Sequence, residues 1–134
     1  MLFTTMDHIA IAVWDIDQSL GYYTEQLGLA LIHDEYLESA GVRLAYLKLG
    51  NNMIQLVQPI GDTPVRKFLE EKGEGLHHIC LATDNIPYTL DKLDGEDNTK
   101  VVMGGRNRRA CFIGRKPNGL AIELTENDPY TGVV

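Results

Sequence analysis

The stretch GLHHICLATDNI at Gly75–Ile86 has the pattern of a strand that opens with two histidines and leads into a helix. A related stretch, DHIAIAVWDI, occurs earlier at Asp7–Ile16. An offset of 70 residues aligns the two, and the equivalent pairs are His8 with His78, Ile9 with Ile79, Ala12 with Ala82, Ile16 with Ile86 and Leu20 with Leu90. A histidine at one strand position, with the strand and helix after it, therefore occurs twice. This spacing predicts a duplicated unit with one histidine per copy.

Apolar periodicity and turn residues predict the order βαβββ in both halves of the chain. In the first half we expect strands at Met6–Val13, Ala30–Leu37, Val42–Leu49 and Met53–Val57, and a helix from its cap at Asp15 to Gly28. A connector helix is expected at Val65–Lys72, with Thr63 as cap and Pro64 in the first turn. In the second half we expect strands at Leu76–Thr83, Lys100–Met103, Arg109–Gly114 and Leu120–Thr125, and a helix capped by Asp84 or Asn85 that ends near Leu93. The tail Asn127–Val134 has no clear pattern.

The predicted fold class is therefore α+β, with two βαβββ modules that form a pseudo-two-fold metal-binding cleft. We expect residues 1–134 to form a single domain, with module 1 at about 6–60, the connector at 61–74 and module 2 at about 75–126. The length is sufficient to bury a sizeable core.

Composition excludes several classes of function. The formal net charge of −7 argues against general nucleic-acid binding. No apolar run approaches the roughly 20 residues that span a bilayer, and the first residues lack the pattern of a secretory signal, so we expect a cytoplasmic protein. Cys80 and Cys111 lie in apolar runs without a CxxC pair, which favours buried free thiols over a disulfide or a thiolate zinc site.

Each predicted last strand carries one polar residue among apolar ones. Met53-Ile54-Gln55-Leu56 aligns with Ala121-Ile122-Glu123-Leu124. An unpaired polar group buried there would be costly, so something should compensate Gln55 and Glu123.

Together with the strand-one histidines these residues make a candidate metal-binding set: His8, Gln55, His78 and Glu123. Imidazole and oxygen ligands suit a divalent transition metal such as Co, Ni, Mn, Zn or Fe. A lone strand histidine is more often a hydrogen-bonded core residue, but four polar residues at repeat-equivalent positions favour the metal. Alternation turns His77 to the opposite face from His78, and His33, which has no repeat partner, is interpreted as a surface residue.

A basic cluster interrupts this acidic sequence at Arg106, Arg108, Arg109, Arg115 and Lys116. It is either solvated surface or a site for phosphates or carboxylates, to which arginine binds through paired donors.

These motifs resemble those of the vicinal-oxygen-chelate (glyoxalase/bleomycin-resistance) superfamily, and most closely those of the methylmalonyl-CoA epimerases. The matching stretches are Asp7–Val13, Tyr22–Leu29, Leu49–Pro59, Thr63–Ile79 and Lys116–Glu126. The first and last strands carry motifs that the whole superfamily shares, whereas Thr63–Ile79 is more particular to the epimerases.

The resemblance implies a metal-dependent isomerase that epimerises methylmalonyl-CoA or a similar carboxylated acyl thioester. The family's metal ligands correspond to His8, Gln55, His78 and Glu123, and Glu123 is also a catalytic acid/base group. A second family glutamate corresponds to Leu44, which cannot transfer a proton, so Glu35, Glu38 or a metal-bound water is left for that role. The implied CoA-binding side chains are Arg106, Arg108, Arg109 and Lys116.

Two other functions compete with the epimerase. A glyoxalase-I-type lactoylglutathione lyase uses the same metal geometry, but it commonly has an arginine for glutathione in the region that corresponds to Asp15–Tyr23, which has none here. A non-catalytic, resistance-type protein would bind a small molecule without metal, and retention of all four ligands counts against it. Superfamily members often form dimers, so a homodimer is possible.

Overall fold

The structure, a computed structural model, describes residues 1–128 and contains eight strands and three α-helices. The strands are β1 Thr5–Ala12, β2 Ala30–Leu37, β3 Val42–Leu49, β4 Asn52–Pro59, β5 Gly75–Thr83, β6 Val102–Met103, β7 Arg109–Phe112 and β8 Ile122–Glu126. The helices are α1 Ile16–Gly21, α2 Pro64–Lys72 and α3 Ile86–Lys92. The order βαβββ therefore occurs twice, with α2 between the copies, and the predicted α+β fold with two βαβββ modules is confirmed.

The described chain divides into two compact units. One is His8–His77, with the strand order β2-β3-β4-β1. In it β1 and β4 are parallel, whereas β2, β3 and β4 form antiparallel pairs. The connector helix α2 belongs to this unit.

The two faces of this first sheet bury different residues. One face packs against α1 and the turn after it, through Ile16, Leu47 and Leu56. The opposite face carries Leu44 and Tyr46 on β3, and Val65 of α2 packs against it. Alternation along the strands assigns each residue to one of these two faces.

The other unit comprises Met1–Asp7 and the described residues from His78 onward, with the strand order β5-β8-β7-β6. Its β5 and β8 are parallel, and β8, β7 and β6 form antiparallel pairs. One face of its sheet is buried under α3 through Ile86, Leu90, Cys111 and Leu124.

Backbone register and capping contacts repeat between the units. Ala10 pairs with Gln55 across β1 and β4, and Cys80 pairs with Glu123 across β5 and β8. The amide of Ile16, which begins α1, donates to the side chain of Gln58 at 2.8 Å. The amide of Ile86, which begins α3, donates to that of Glu126 at 2.9 Å. The duplication predicted from the histidine spacing thus extends to the last strand of each half.

Some element bounds differ from the sequence-based expectation. The helix predicted to run to Gly28 leaves α geometry after Gly21 and continues as a wider π turn at Tyr22–Gln26, which the amide of Leu27 closes on the carbonyl of Tyr22. The strand expected at Lys100–Met103 has only two residues. β4 includes Pro59, which is tolerated because it lies at the end of the strand.

The described helices are all too short or too polar to cross a lipid bilayer.

Candidate metal centre

His8 and Gln55 lie on the same face of the first sheet. Gln55 pairs with Ala10 on the adjacent parallel strand, and His8 is two residues before Ala10, so their side chains project from one side. They are 2% and 4% exposed. The fold therefore brings an imidazole and an amide to one buried region of this unit.

Tyr46 contacts both of these residues. The Gln55 Nε2 donates a hydrogen bond to the Tyr46 hydroxyl at 2.9 Å, and the Tyr46 ring meets the His8 ring edge-on with 5.8 Å between centroids. The sequence analysis missed Tyr46. The turn at Gly50–Asn52 was the available signal, because the hairpin register that it sets places Tyr46 directly opposite Gln55.

His78 and Glu123 form the equivalent pair in the second unit. The His78 Nε2 lies 3.2 Å from the Glu123 Oε1, and their side chains are 5% and 17% exposed. The ring of Phe112 meets the His78 ring edge-on, with 4.9 Å between centroids. A buried imidazole and a partly buried carboxylate are therefore in direct contact.

The other two histidines differ from this pair. His77 packs against the ring of Phe68 at 4.8 Å, as expected for a side chain on the opposite face from His78. His33 is half-exposed, consistent with a surface position, yet its Nε2 lies 3.0 Å from the Glu35 Oε2 and its ring contacts Tyr46.

Leu44 has an acidic neighbour across the sheet. Glu35 pairs with Leu44 between β2 and β3, so the carboxylate lies beside the position where the resemblance implied a glutamate. Glu38, the other candidate, lies in the exposed turn Glu38–Ala40.

Three arginines of the basic cluster form ion pairs. Arg106 forms a bidentate ion pair with Asp7, with 2.5 Å between Nη2 and Oδ2 and 3.3 Å between Nη1 and Oδ1. The Nη1 of Arg108 lies 3.9 Å from the same carboxylate. Arg109 pairs with Glu126 at 2.7 Å while its side chain remains 51% exposed. Lys116 is exposed. The predicted anion-binding residues thus range from a largely buried ion pair to open surface.

The two cysteines are free, buried thiols, as expected. Burial, the negative charges of Glu123 and Asp7 and a hydrogen bond to Glu123 raise the pKa of Cys80 well above its ordinary value. Burial and the charges of Glu123 and Glu96 raise the pKa of Cys111 to about 11.

The donor sets fit a divalent transition metal. Each unit presents one imidazole and one oxygen-bearing side chain from equivalent strand positions. This mixture of nitrogen and oxygen donors is typical of Co, Ni, Mn, Zn or Fe sites rather than of soft thiolate sites. A partly buried carboxylate such as that of Glu123, whose side chain is 17% exposed, is also a suitable ligand for a cation.

Comparison with known proteins agrees with this fold. The family model described as the glyoxalase/bleomycin resistance protein/dioxygenase superfamily matches residues 7–112. The chain belongs to this superfamily. The match covers both histidines of the repeat, His8 and His78.

Individual relatives of this superfamily member share about a third of its sequence. It is 34% identical to the uncharacterized protein YqjC of Bacillus subtilis, over 90% of this chain and 91% of that one. It is 30% identical to human mitochondrial methylmalonyl-CoA epimerase, over 90% of this chain and 73% of the relative. A solved structure of a Streptomyces coelicolor methylmalonyl-CoA epimerase variant with 2-nitronate-propionyl-CoA superposes with a TM-score of 0.85 and 30% identity, covering 95% of this chain and 96% of that one.

Proposed function

We propose that this protein is a metal-dependent epimerase of methylmalonyl-CoA or a similar carboxylated acyl thioester. The observation that carries the proposal is the repeated pair, His8 with Gln55 and His78 with Glu123, in the same strand register of two related units. These four side chains would together hold one divalent ion. The similarity to epimerases that act on or bind acyl-CoA compounds supports the choice of reaction.

A divalent ion bound by these residues supplies Lewis-acid stabilisation of the negative charge that develops on the substrate when its α-proton leaves. Glu123 is proposed to take that proton on its carboxylate. The bond between the α-carbon and hydrogen breaks heterolytically, and the same carbon regains a proton on its opposite face. Substrate and product are isomers, so no oxidant or reductant takes part.

Glu35 is the proposed second acid/base group. Inversion at carbon needs a proton donor opposite Glu123, and Leu44 cannot be one. Glu35 lies across the sheet from Leu44, and its contact with His33 orients its carboxylate. Glu38 is disfavoured for this role because it lies in an exposed turn.

The substrate's CoA moiety is proposed to meet the basic cluster. Lys116 and Arg109 expose more of their charge than Arg106 and Arg108, which share Asp7, so the phosphates should depend most on the former pair. A cytoplasmic location and a homodimer remain predictions; analytical ultracentrifugation tests the second.

Proton exchange tests the reaction directly. The protein loaded with Co²⁺ or Ni²⁺ is incubated with methylmalonyl-CoA in D₂O, and deuterium at the α-carbon is followed by mass spectrometry against a protein-free control. We expect fast exchange that Glu123→Gln slows by about 10²- to 10⁴-fold, the usual contribution of a general acid–base residue. Absence of catalysed exchange with every divalent metal would exclude the epimerase.

Two further measurements separate the alternatives. Turnover of the hemithioacetal of methylglyoxal and glutathione would favour the lyase, although no arginine is present in Asp15–Tyr23. A protein that binds no Co²⁺ or Ni²⁺ after purification would favour the non-catalytic binder. His78→Ala should abolish metal binding and leave the circular dichroism spectrum unchanged, whereas global unfolding would indicate a purely structural histidine.

A further inference from the structure

We propose that Tyr46 is a positioning residue for the proposed metal ligand Gln55. Its hydroxyl accepts a hydrogen bond from the Gln55 amide nitrogen, and this bond leaves the amide oxygen to face the metal. The inference rests on the metal site of the proposed function and adds a residue outside the four proposed ligands.

The chemistry of the amide creates the requirement. A glutamine side chain has one acceptor end and one donor end, and only the oxygen is a useful ligand for a divalent metal. When Oε1 faces the ion, the Nε2 hydrogens point away from it. Gln55 is 4% exposed, so water is a poor partner for that nitrogen. A buried donor without an acceptor is destabilising, because it has lost its hydrogen bonds to water and gained none in return.

Tyr46 provides the acceptor. Its hydroxyl oxygen lies 2.9 Å from the Gln55 Nε2, and Tyr46 is itself only 1% exposed. The two residues are directly opposite each other on antiparallel strands, so the backbone register fixes their approach. With Nε2 bound to this hydroxyl, the oxygen is the end of the amide available for ligation.

Two histidine rings contact the Tyr46 ring. Its centroid is 5.8 Å from that of His8, in an edge-on arrangement, and 5.7 Å from that of His33. His33 is restrained in turn by Glu35 at 3.0 Å. These contacts restrict the Tyr46 ring, and with it the hydroxyl.

The second unit shows what the ring does without a hydroxyl. Phe112 pairs with Glu123 as Tyr46 pairs with Gln55, and it makes the same edge-on contact with its histidine. A carboxylate has no N–H group and needs no acceptor, so phenylalanine suffices there. The hydroxyl accompanies the amide, and the ring alone accounts for packing against the histidine. This difference separates the positioning role of Tyr46 from its role in the core.

The test is a cycle of variants at the two positions, read out as metal affinity. Isothermal titration with Co²⁺ at one pH compares wild type, Tyr46→Phe, Gln55→Glu and the double variant. Tyr46→Phe should weaken binding by about 10- to 100-fold, the usual effect of losing a partner that orients a ligand. In the Gln55→Glu background the same change should alter affinity less than about threefold, since no amide remains. Tyr36→Phe, at an exposed tyrosine on β2, is the matched control and should bind as wild type.

The outcomes are distinguishable. Equal affinities of wild type and Tyr46→Phe, or the same loss in both backgrounds, would overturn the positioning role. If wild type binds Co²⁺ and Tyr46→Phe weakens it while no variant exchanges the substrate proton, the role of Tyr46 stands and the epimerase fails. If wild type binds no Co²⁺, both fail. Thermal unfolding of the metal-free proteins checks that Tyr46→Phe is folded, as the phenylalanine of the second unit leads us to expect.

Discussion

The basic side chains in the last third of the chain differ in their burial and in their ion-pair partners. Arg106 has a side chain only 15% exposed and bonds an Asp7 that is 8% exposed, whereas Lys116 is exposed. A paired and largely buried charge stabilises the fold, and an exposed one is available to a ligand. Basic residues close together in the sequence therefore have two different roles: Arg106 stabilises the fold, and Lys116 is available to a ligand.

Substitution should separate these uses. Arg106→Ala leaves the Asp7 carboxylate in a poorly solvated position, so we expect a loss of about 3 kcal/mol in the free energy of unfolding, measured with urea. Lys116→Ala should change that free energy by less than about 0.5 kcal/mol. It should instead raise KM for methylmalonyl-CoA. A raised KM without lost stability in Arg106→Ala would show that Arg106 also serves the substrate.

For individual residues, the sequence was sufficient to identify side chains that recur at a fixed spacing. It was not sufficient to identify contacts between residues far apart in the chain. His8, Gln55, His78 and Glu123 were identifiable because they recur at a fixed spacing within apolar strands. The contact of Arg106 with Asp7 joins residues 99 positions apart, and no local pattern encodes it. Tyr46 was missed because an aromatic residue in a strand ordinarily indicates core packing.

At the level of secondary-structure elements, the segment between α3 and β6 contains a buried carboxylate, Glu96, that accepts hydrogen bonds from a neighbouring segment. The segment Gly95–Thr99 is polar in sequence, yet Glu96 is only 5% exposed. Its carboxylate accepts hydrogen bonds from the Thr99 hydroxyl and from the amides of Gly114 and Arg115, at 2.9 and 3.3 Å for the two amides. These bonds, that from Thr99 foremost, lower the pKa of Glu96 below its ordinary value of 4.5.

The hydrogen bonds of Glu96 make the free energy of unfolding depend on pH. Because the folded pKa lies below the unfolded one, the ionised Glu96 stabilises the fold above about pH 4.5, and this contribution disappears as the pH falls through the folded pKa. Glu96→Gln should therefore be less stable than wild type at pH 7, and the difference should shrink below pH 4.5. Urea unfolding at several pH values measures it, with Asp97→Asn, at the exposed neighbour, as control. A difference that does not vary with pH would contradict this role.

Most element boundaries were predictable because local signals set them. Thr63 with Pro64 marks the start of α2, and Asp15 and Asn85 cap α1 and α3. The π turn after α1 was not predictable, since apolar spacing is similar on α and π geometry over so few residues. The reduction of β6 to two residues was not predictable either, since strand propensity in a short segment depends strongly on its surroundings.

For the whole molecule, the proposed site links metal to stability. Its four ligands come from both halves of the sequence, so an ion that all four hold should stabilise the native chain by mass action. At 100 times the dissociation constant this amounts to about 2.7 kcal/mol, or roughly 10 °C in Tm for a chain of this size. Scanning calorimetry with Ni²⁺ and then with excess chelator measures it. His8→Ala and His78→Ala should each lose the shift, and a shift that survives in either variant would mean that its histidine is not a ligand.

Both cysteines of the 134-residue chain lie in β5 and β7, within the same compact unit, and the other unit has none. Their exposures are 0% and 2%, and burial keeps both thiols protonated at neutral pH. A thiol reagent such as iodoacetamide reacts with an accessible thiolate. Alkylation of the native protein therefore requires this unit to open, and the reaction rate reports that opening alone. The alkylation rate, followed by mass spectrometry, therefore measures how often this half of the chain unfolds transiently, with no engineered cysteine.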